Sequence, residues 1–190
     1  MLTGNALGVV ELSGISRGYL VQDAMLKASI IEKVIAKTIC SGKYLIVIKG
    51  QVADVDTAIK VAKETGGFAI INTTVIPNLD PQVFPALAGA NTIEKPEDIK
   101  HIGALLVIET FSVVSAIMAA DFAAKEAELK LMRIHAAMAV GGKGFVVITG
   151  ELAALEAAVK PAVEYIKVDG MLADFVIIKN PHEDVLKELI

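Results

Sequence analysis

The stretch "SGKYLIVIKGQVADVDTAI", residues 41 to 59, returns later in the chain as "GGKGFVVITGELAALEAAV", residues 141 to 159. Gly42, Lys43, Gly50 and Ala58 fall on Gly142, Lys143, Gly150 and Ala158. Both copies read alike: a β-rich apolar run, a glycine, then apolar residues at helical spacing, as in Val55, Ala58, Ile59 and Ala62. A repeat must be settled before any other feature is read, because a doubled domain and a single large one have different cores.

The repeat extends in both directions. Upstream, "VVELSG" (9–14) aligns with "VIETFS" (107–112), so that Glu11 meets Glu109, Asp23 meets Asp121 and Lys27 meets Lys125. Downstream, Asn78 meets Asn180, Val83 meets Val185 and Leu87 meets Leu189. The two copies are separated by "AGANTIEKPEDIKH" (88–101), where Gly, Asn, Pro and charges cluster as they do in linkers. The expected organisation is a first domain over 1–90, a linker over 91–102 and a second domain over 103–190.

Within the first copy, "LGVVEL" (7–12) reads as a buried strand, and Val21, Ala24, Met25 and Ala28 mark one face of a helix. "VIAKTI" (34–39) and "KYLIVIK" (43–49) are strand-like runs separated by Cys-Ser-Gly, a connection of hairpin size. The helix through Val55 and Ala62 stops at Gly66-Gly67, "FAIINTTVI" (68–76) is a last strand, and a short helix follows Pro81. The predicted class is α+β: two tandem ferredoxin-like units, each β-α-β-β-α-β plus a terminal helix. In the second copy the first helix, about 113 to 127, is apolar almost all round, which predicts contacts beyond its own sheet.

Composition narrows the function. Of the 190 residues 54% are hydrophobic; counting Gly and leaving out Tyr gives roughly 60% apolar, against ~45–50% in typical domains. Such a chain needs protein partners to cover its surface. Charge-free stretches such as "FSVVSAIMAA" (111–120) fall well short of the ~18 residues of a membrane span. With a net charge of −4 and no basic run, neither nucleic acid nor membrane is an expected partner. A single cysteine and no signal-like opening make the cytoplasm the expected location.

Cys40 poses the chemical question. One thiol builds no disulfide within its chain and is too few ligands for a zinc or iron–sulfur site. It is either an ordinary small residue or one ligand of a set completed by other copies. The remaining candidates are weaker. "AMAVGGKG" (137–144) nearly spells a phosphate loop, but Gly144 stands where the magnesium-binding hydroxyl belongs and a strand follows instead of a helix. His101, His135 and His182 show no metal-ligand spacing, and His135 reads as a sheet-face residue. Glu11 and Glu109, at strand ends, read as acceptors for lysine or backbone donors rather than as general acids. No nucleophile–base arrangement is legible, so no enzyme is expected.

The order "ALGVVEL", "DAMLKAS", "KTICSGKYL", "HIGALLVIET", "GGKGFVVITGEL" and "NPHEDVLKEL" closely resembles the tandem-domain shell proteins of bacterial microcompartments, over nearly the whole chain. The resemblance implies a homotrimer whose six domains form a pseudohexagonal tile, set beside other shell proteins in a cytoplasmic microcompartment. It implies pore loops at the central axis, here Cys40, Ser41 and Gly42 with Val140, Gly141 and Gly142. It implies that Lys27 and Lys125 lie at tile edges, although the edge arginine of the family's Pro-Arg-Pro-His segment is missing from both "PNLD" (77–80) and "KNPH" (179–182). "KTICSGK" is similar to the pore loop of the propanediol-utilisation-type subgroup, which carries an axial 4Fe–4S cluster. By that likeness Cys40 would ligate a cluster shared by three subunits, suited to electron relay across the shell or to delivery of a cluster to an encapsulated redox enzyme. A cofactor-free metabolite pore and a ferredoxin-like trimeric ligand-binding regulator are the alternatives.

Overall fold

The computed structural model describes residues 4–89 and 102–187. Most of the expected linker, and His101 with it, lie outside the described residues. The elements run β1 (Ala6–Leu12), α1 (Ile15–Ala28), β2 (Glu32–Ile39), β3 (Lys43–Gly50), α2 (Val52–Gly66), β4 (Ile70–Ile76) and α3 (Val83–Ala88). The same order follows as β5 (Ala104–Thr110), α4 (Val113–Glu126), β6 (Lys130–His135), β7 (Gly144–Gly150), α5 (Leu152–Val168), β8 (Leu172–Lys179) and α6 (Glu183–Lys187). The α+β class with two four-stranded sheets stands as the repeat predicts.

The chain divides into two compact units. Among the described residues, the first comprises 4–79 together with 137–142, and the second comprises 80–89, 102–136 and 143–187. In the first unit the sheet order is β2-β3-β1-β4, with every neighbouring pair antiparallel. Strand alternation sends Val10, Leu12, Ile46 and Ile48 to the helical side, where they pack with Val21 and Met25 of α1 and Val55, Ala58, Ile59 and Ala62 of α2. Burying each of the larger side chains contributes about 1.5–3 kcal/mol, so this layer dominates the unit's stability.

The α1 face differs from its expected stripe. Ala28 is exposed, whereas Gly18 is buried because the Tyr44 ring lies against it. A Cβ on Gly18 would stand 2.3 Å from Tyr44 Cγ. In the second repeat the same two positions are Ala116 and Gly144, so the volume has moved from the strand to the helix. The Tyr44 hydroxyl donates to Gln22 Oε1 at 2.9 Å, and burial, aided by Tyr19, pushes its phenol pKa up. At the end of α2, Gly67 adopts φ 54° and its N–H closes on the Lys63 carbonyl. That cap carries Phe68 and Ala69 into a short 3-10 turn, so β4 begins two residues later than the apolar run suggests.

In the second unit the order is β6-β7-β5-β8, again antiparallel. The nearly all-apolar α4 is buried on most of its surface, from Val113 and Val114 to Ala120 and Ala123, with Phe122 exposed near its C-terminal end. It packs on α5 and the sheet on one side, and α3 lies against α4 and β6. The expected contact beyond its own sheet is therefore present, supplied by α3. The glycine-rich segment before β7 leads into a strand, as the argument against a phosphate loop requires.

Candidate cofactor-ligating loop

The first unit brings Cys40 and residues 137–142 together. Ile39 ends β2 and Lys43 begins β3; between them Cys40–Gly42 form one 3-10 turn in which Ser41 and Gly42 have φ of 64° and 71°. No atom lies within 4 Å of a Cβ built on Gly42, so the glycine is required by backbone conformation and not by space. Cys40 is half-buried, with Ser41 and Gly42 exposed beside it.

Three contacts join the two loops. The Cys40 N–H donates to the Ala137 carbonyl at 3.0 Å. The Ala139 N–H donates to Cys40 Sγ at 2.8 Å, and Lys43 Nζ donates to the Gly142 carbonyl at 3.1 Å. Opposite them the backbone is strained: Ala137 and Ala139 take φ of 52° and 61°, conformations that cost a non-glycine residue about 1 kcal/mol or more. Gly141 and Gly142 continue in the left-handed region without that cost. The thiol sulfur is thus an acceptor for a backbone donor, which is the arrangement that supports a metal-bound thiolate.

Lys43 is held from the other side by Glu11, whose Oε1 lies 2.8 Å from Nζ; Glu11 is fully buried. The repeat places the same pair at Lys143 and Glu109, 3.1 Å apart and well exposed. Both carboxylates accept lysine donors, as their positions predict. His135 stacks on Phe145 with ring centroids 4.7 Å apart, on the sheet face where the sequence places it. His182 Nδ1 accepts the Asp184 N–H at 3.2 Å. Among the described residues, no group of three or more His, Cys, Asp or Glu side chains within one chain is placed to hold a metal.

Val140 and Gly141 complete the loop, with no thiol at Val140 to match Cys40. Lys27 pairs with Asp23 at 2.6 Å on an exposed helix face. Lys125 pairs with Asp121 at 2.5 Å, and the buried Asp121 carboxylate also accepts the Asp80 N–H at 2.8 Å. Sequence reading does not find Ala139, because a backbone donor leaves no side-chain signature; the glycines at 141 and 142 are its nearest signal.

The BMC domain family matches this chain twice, over residues 6–79 and 104–181. The chain belongs to that family. It is 34% identical over 185 residues to the bacterial microcompartment shell protein PduT of Citrobacter freundii, covering 97% of both chains. Among solved structures it is similar to a microcompartment protein from Desulfitobacterium hafniense, at 39% identity and a TM-score of 0.82, with 96% of this chain and 98% of that one covered. A fused permuted hexameric shell protein of the RMM microcompartment shares the fold at 19% identity and a TM-score of 0.61, covering 88% of this chain and 87% of its own. The chain is therefore a tandem BMC-domain shell protein, a structural component and not an enzyme. No helix among the described residues is long and apolar enough to cross a membrane.

Proposed function

We propose that this BMC protein forms a trimeric, pseudohexameric tile of a cytoplasmic microcompartment shell. In that tile three copies of Cys40 hold a 4Fe–4S cluster on the axis, for electron transfer across the shell or to an encapsulated redox enzyme. The observation that supports it is the Cys40 turn: one half-exposed thiol, in a tight loop, with a backbone N–H directed at its sulfur. A closed cyclic trimer repeats every loop three times, so one thiol per chain becomes three. Three is short of the four cysteines a 4Fe–4S cluster ordinarily takes, leaving one iron to a non-cysteine ligand.

When bound, such a cluster supplies one-electron redox chemistry. The chain's own part is to position the sulfur. Cys40 would hold the cluster, the Ala139 N–H donates to its sulfur, and Lys43, tied to Glu11 and to the Gly142 carbonyl, fixes the two loops against each other. Val140 offers no ligand, so the ring holds three thiols and not six. Lys27 and Lys125 serve at the tile edge, toward neighbouring shell proteins.

Anaerobic purification tests the reading. The expected protein is brown, gives an iron–sulfur electron paramagnetic resonance signal on reduction, and loses both with Cys40→Ala while remaining trimeric. A colourless, iron-free protein sinks the cluster and favours an open pore for small polar metabolites, lined by Cys40, Ser41, Gly42, Val140, Gly141 and Gly142.

A further inference from the structure

The outer face of the helix layer sets the second unit apart. There the Phe122 ring of α4 meets the Tyr165 ring of α5, with centroids 4.7 Å apart, and both rings stay open, at 36% and 47% exposure. The first repeat has Ala24 and Thr65 at these positions. Tyr165 also ends an apolar stripe on α5. Ala157, Pro161 and Tyr165 follow at i+4 along one side of the helix, with Ala157 exposed and Pro161 half-buried. In α2 the matching residues are Thr57, Val61 and Thr65, which interrupt the stripe with hydroxyls.

A charged row runs beside the stripe. Glu156, Lys160, Glu164 and Lys167 are exposed and alternate in sign at helical spacing. Row and stripe share one property: each meets its own complement when the helix is turned end for end about residues 161–162. Glu156 then falls against Lys167, Lys160 against Glu164, and the small Ala157 against the large Tyr165. The helix α2 lacks this symmetry, because Gly67 stands in the place of Lys167 and Thr57 would meet Thr65. Glu156 Oε1 lies 3.4 Å from Lys179 Nζ at an exposed site, whereas Lys160 and Glu164 have no ion-pair partner among the described residues.

We infer that α5 is a homotypic docking face: the α5 helices of two copies pack antiparallel across a two-fold axis at residues 161–162. Lys160 of each copy lies opposite Glu164 of the other, and each Tyr165 ring, backed by Phe122, covers the other copy's Ala157 and Pro161. A two-fold contact joins a patch to itself and so requires a self-complementary surface, and matched charges fix its register. A second copy is the favoured occupant because the charge pattern and the size pattern centre on the same point of one helix. The contact is separate from the proposed tile edge. Lys125 turns to Asp121, whose carboxylate also accepts the Asp80 N–H ahead of α3, while Phe122 turns to α5. One pair of helices buries less than the ~800 Å² per partner of a stable interface, so the pairing is weak and depends on protein concentration. It rests neither on the cluster nor on the trimer.

The test is sedimentation of the full chain over a concentration series, with circular dichroism to show that each variant keeps its fold. The wild-type mass is expected to double as concentration rises, from one tile to two. Tyr165→Glu and Lys160→Glu, both at exposed positions, are expected to hold the lower mass, the second because it sets two carboxylates against each other. Lys160→Glu together with Glu164→Lys exchanges the signs and is expected to restore the doubling. Lys60→Glu, at the matching position of α2, is expected to leave it unchanged. A wild-type mass that does not change with concentration overturns the inference, and so does doubling that survives both Tyr165→Glu and Lys160→Glu. Doubling abolished by Lys27→Ala with Lys125→Ala, but not by Tyr165→Glu, belongs to the tile edge and overturns it too. A lowest mass of one chain that doubles with the same dependence on Lys160 and Glu164 supports the pairing and overturns the tile reading alone.

Discussion

Replacing Lys43 by methionine is expected to destabilise the fold far more than replacing Lys143, although the repeat makes them the same residue. The Lys43–Glu11 pair has side-chain exposures of 17% and 0%, and the Lys143–Glu109 pair 41% and 39%. Removing the cation of a buried pair leaves a carboxylate that has surrendered its hydration, a loss of about 3–5 kcal/mol. For an exposed pair, water and salt screen the charges and the loss is about 0.2–1 kcal/mol. For a chain of this length 1 kcal/mol corresponds to about 2–4 °C in melting temperature. Lys43→Met should therefore lower the midpoint by about 6–20 °C and Lys143→Met by no more than about 4 °C, read by thermal denaturation at one fixed protein concentration. Adding Glu11→Gln to Lys43→Met removes the buried charge and should recover much of the loss. Equal midpoints for the two single variants, or no recovery in the double, would refute the assignment of the difference to burial.

Gly18→Ala is expected to lose about 1–2 kcal/mol in denaturant titration, because overpacking against Tyr44 outweighs the better helix propensity of alanine; a gain in stability would contradict the 2.3 Å approach. Lys27→Ala with Lys125→Ala should leave the trimer's mass unchanged and abolish extended sheets in electron micrographs. The Lys27–Asp23 pair itself is exposed and contributes only about 0.3–0.5 kcal/mol. Trimers dissolving into monomers would remove both lysines from the tile edge.

The sequence made the architecture legible because the duplicated pattern tests itself: a strand or helix read in one copy has to reappear in the other. The stripe of α2 was visible in full, since Val55, Ala58, Ile59 and Ala62 are all buried. The stripe of α1 was not, because its closest approach to the sheet is made by Gly18, a residue with no hydrophobic signature. The lone thiol at a turn could be read from order alone. Its environment could not: Ala137 and Ala139 adopt left-handed conformations that alanine rarely takes, and the donor to the sulfur belongs to the backbone. Nor does the alignment show why Glu11 is buried and Glu109 is not, since exposure depends on which copy of a surface is covered.

The seating of α3 on α4 and β6 bears on how such a chain arose. A single-domain ancestor would have had to find that contact in a separate molecule, at the association cost of about 4–15 kcal/mol for each body joined. Tandem fusion makes it intramolecular, so that the contact no longer depends on the concentration of a second molecule. In the tile proposed above, a ring of six domains would then assemble from three bodies instead of six. The two halves are also free to diverge, so that a cysteine can enter one repeat while the other keeps valine.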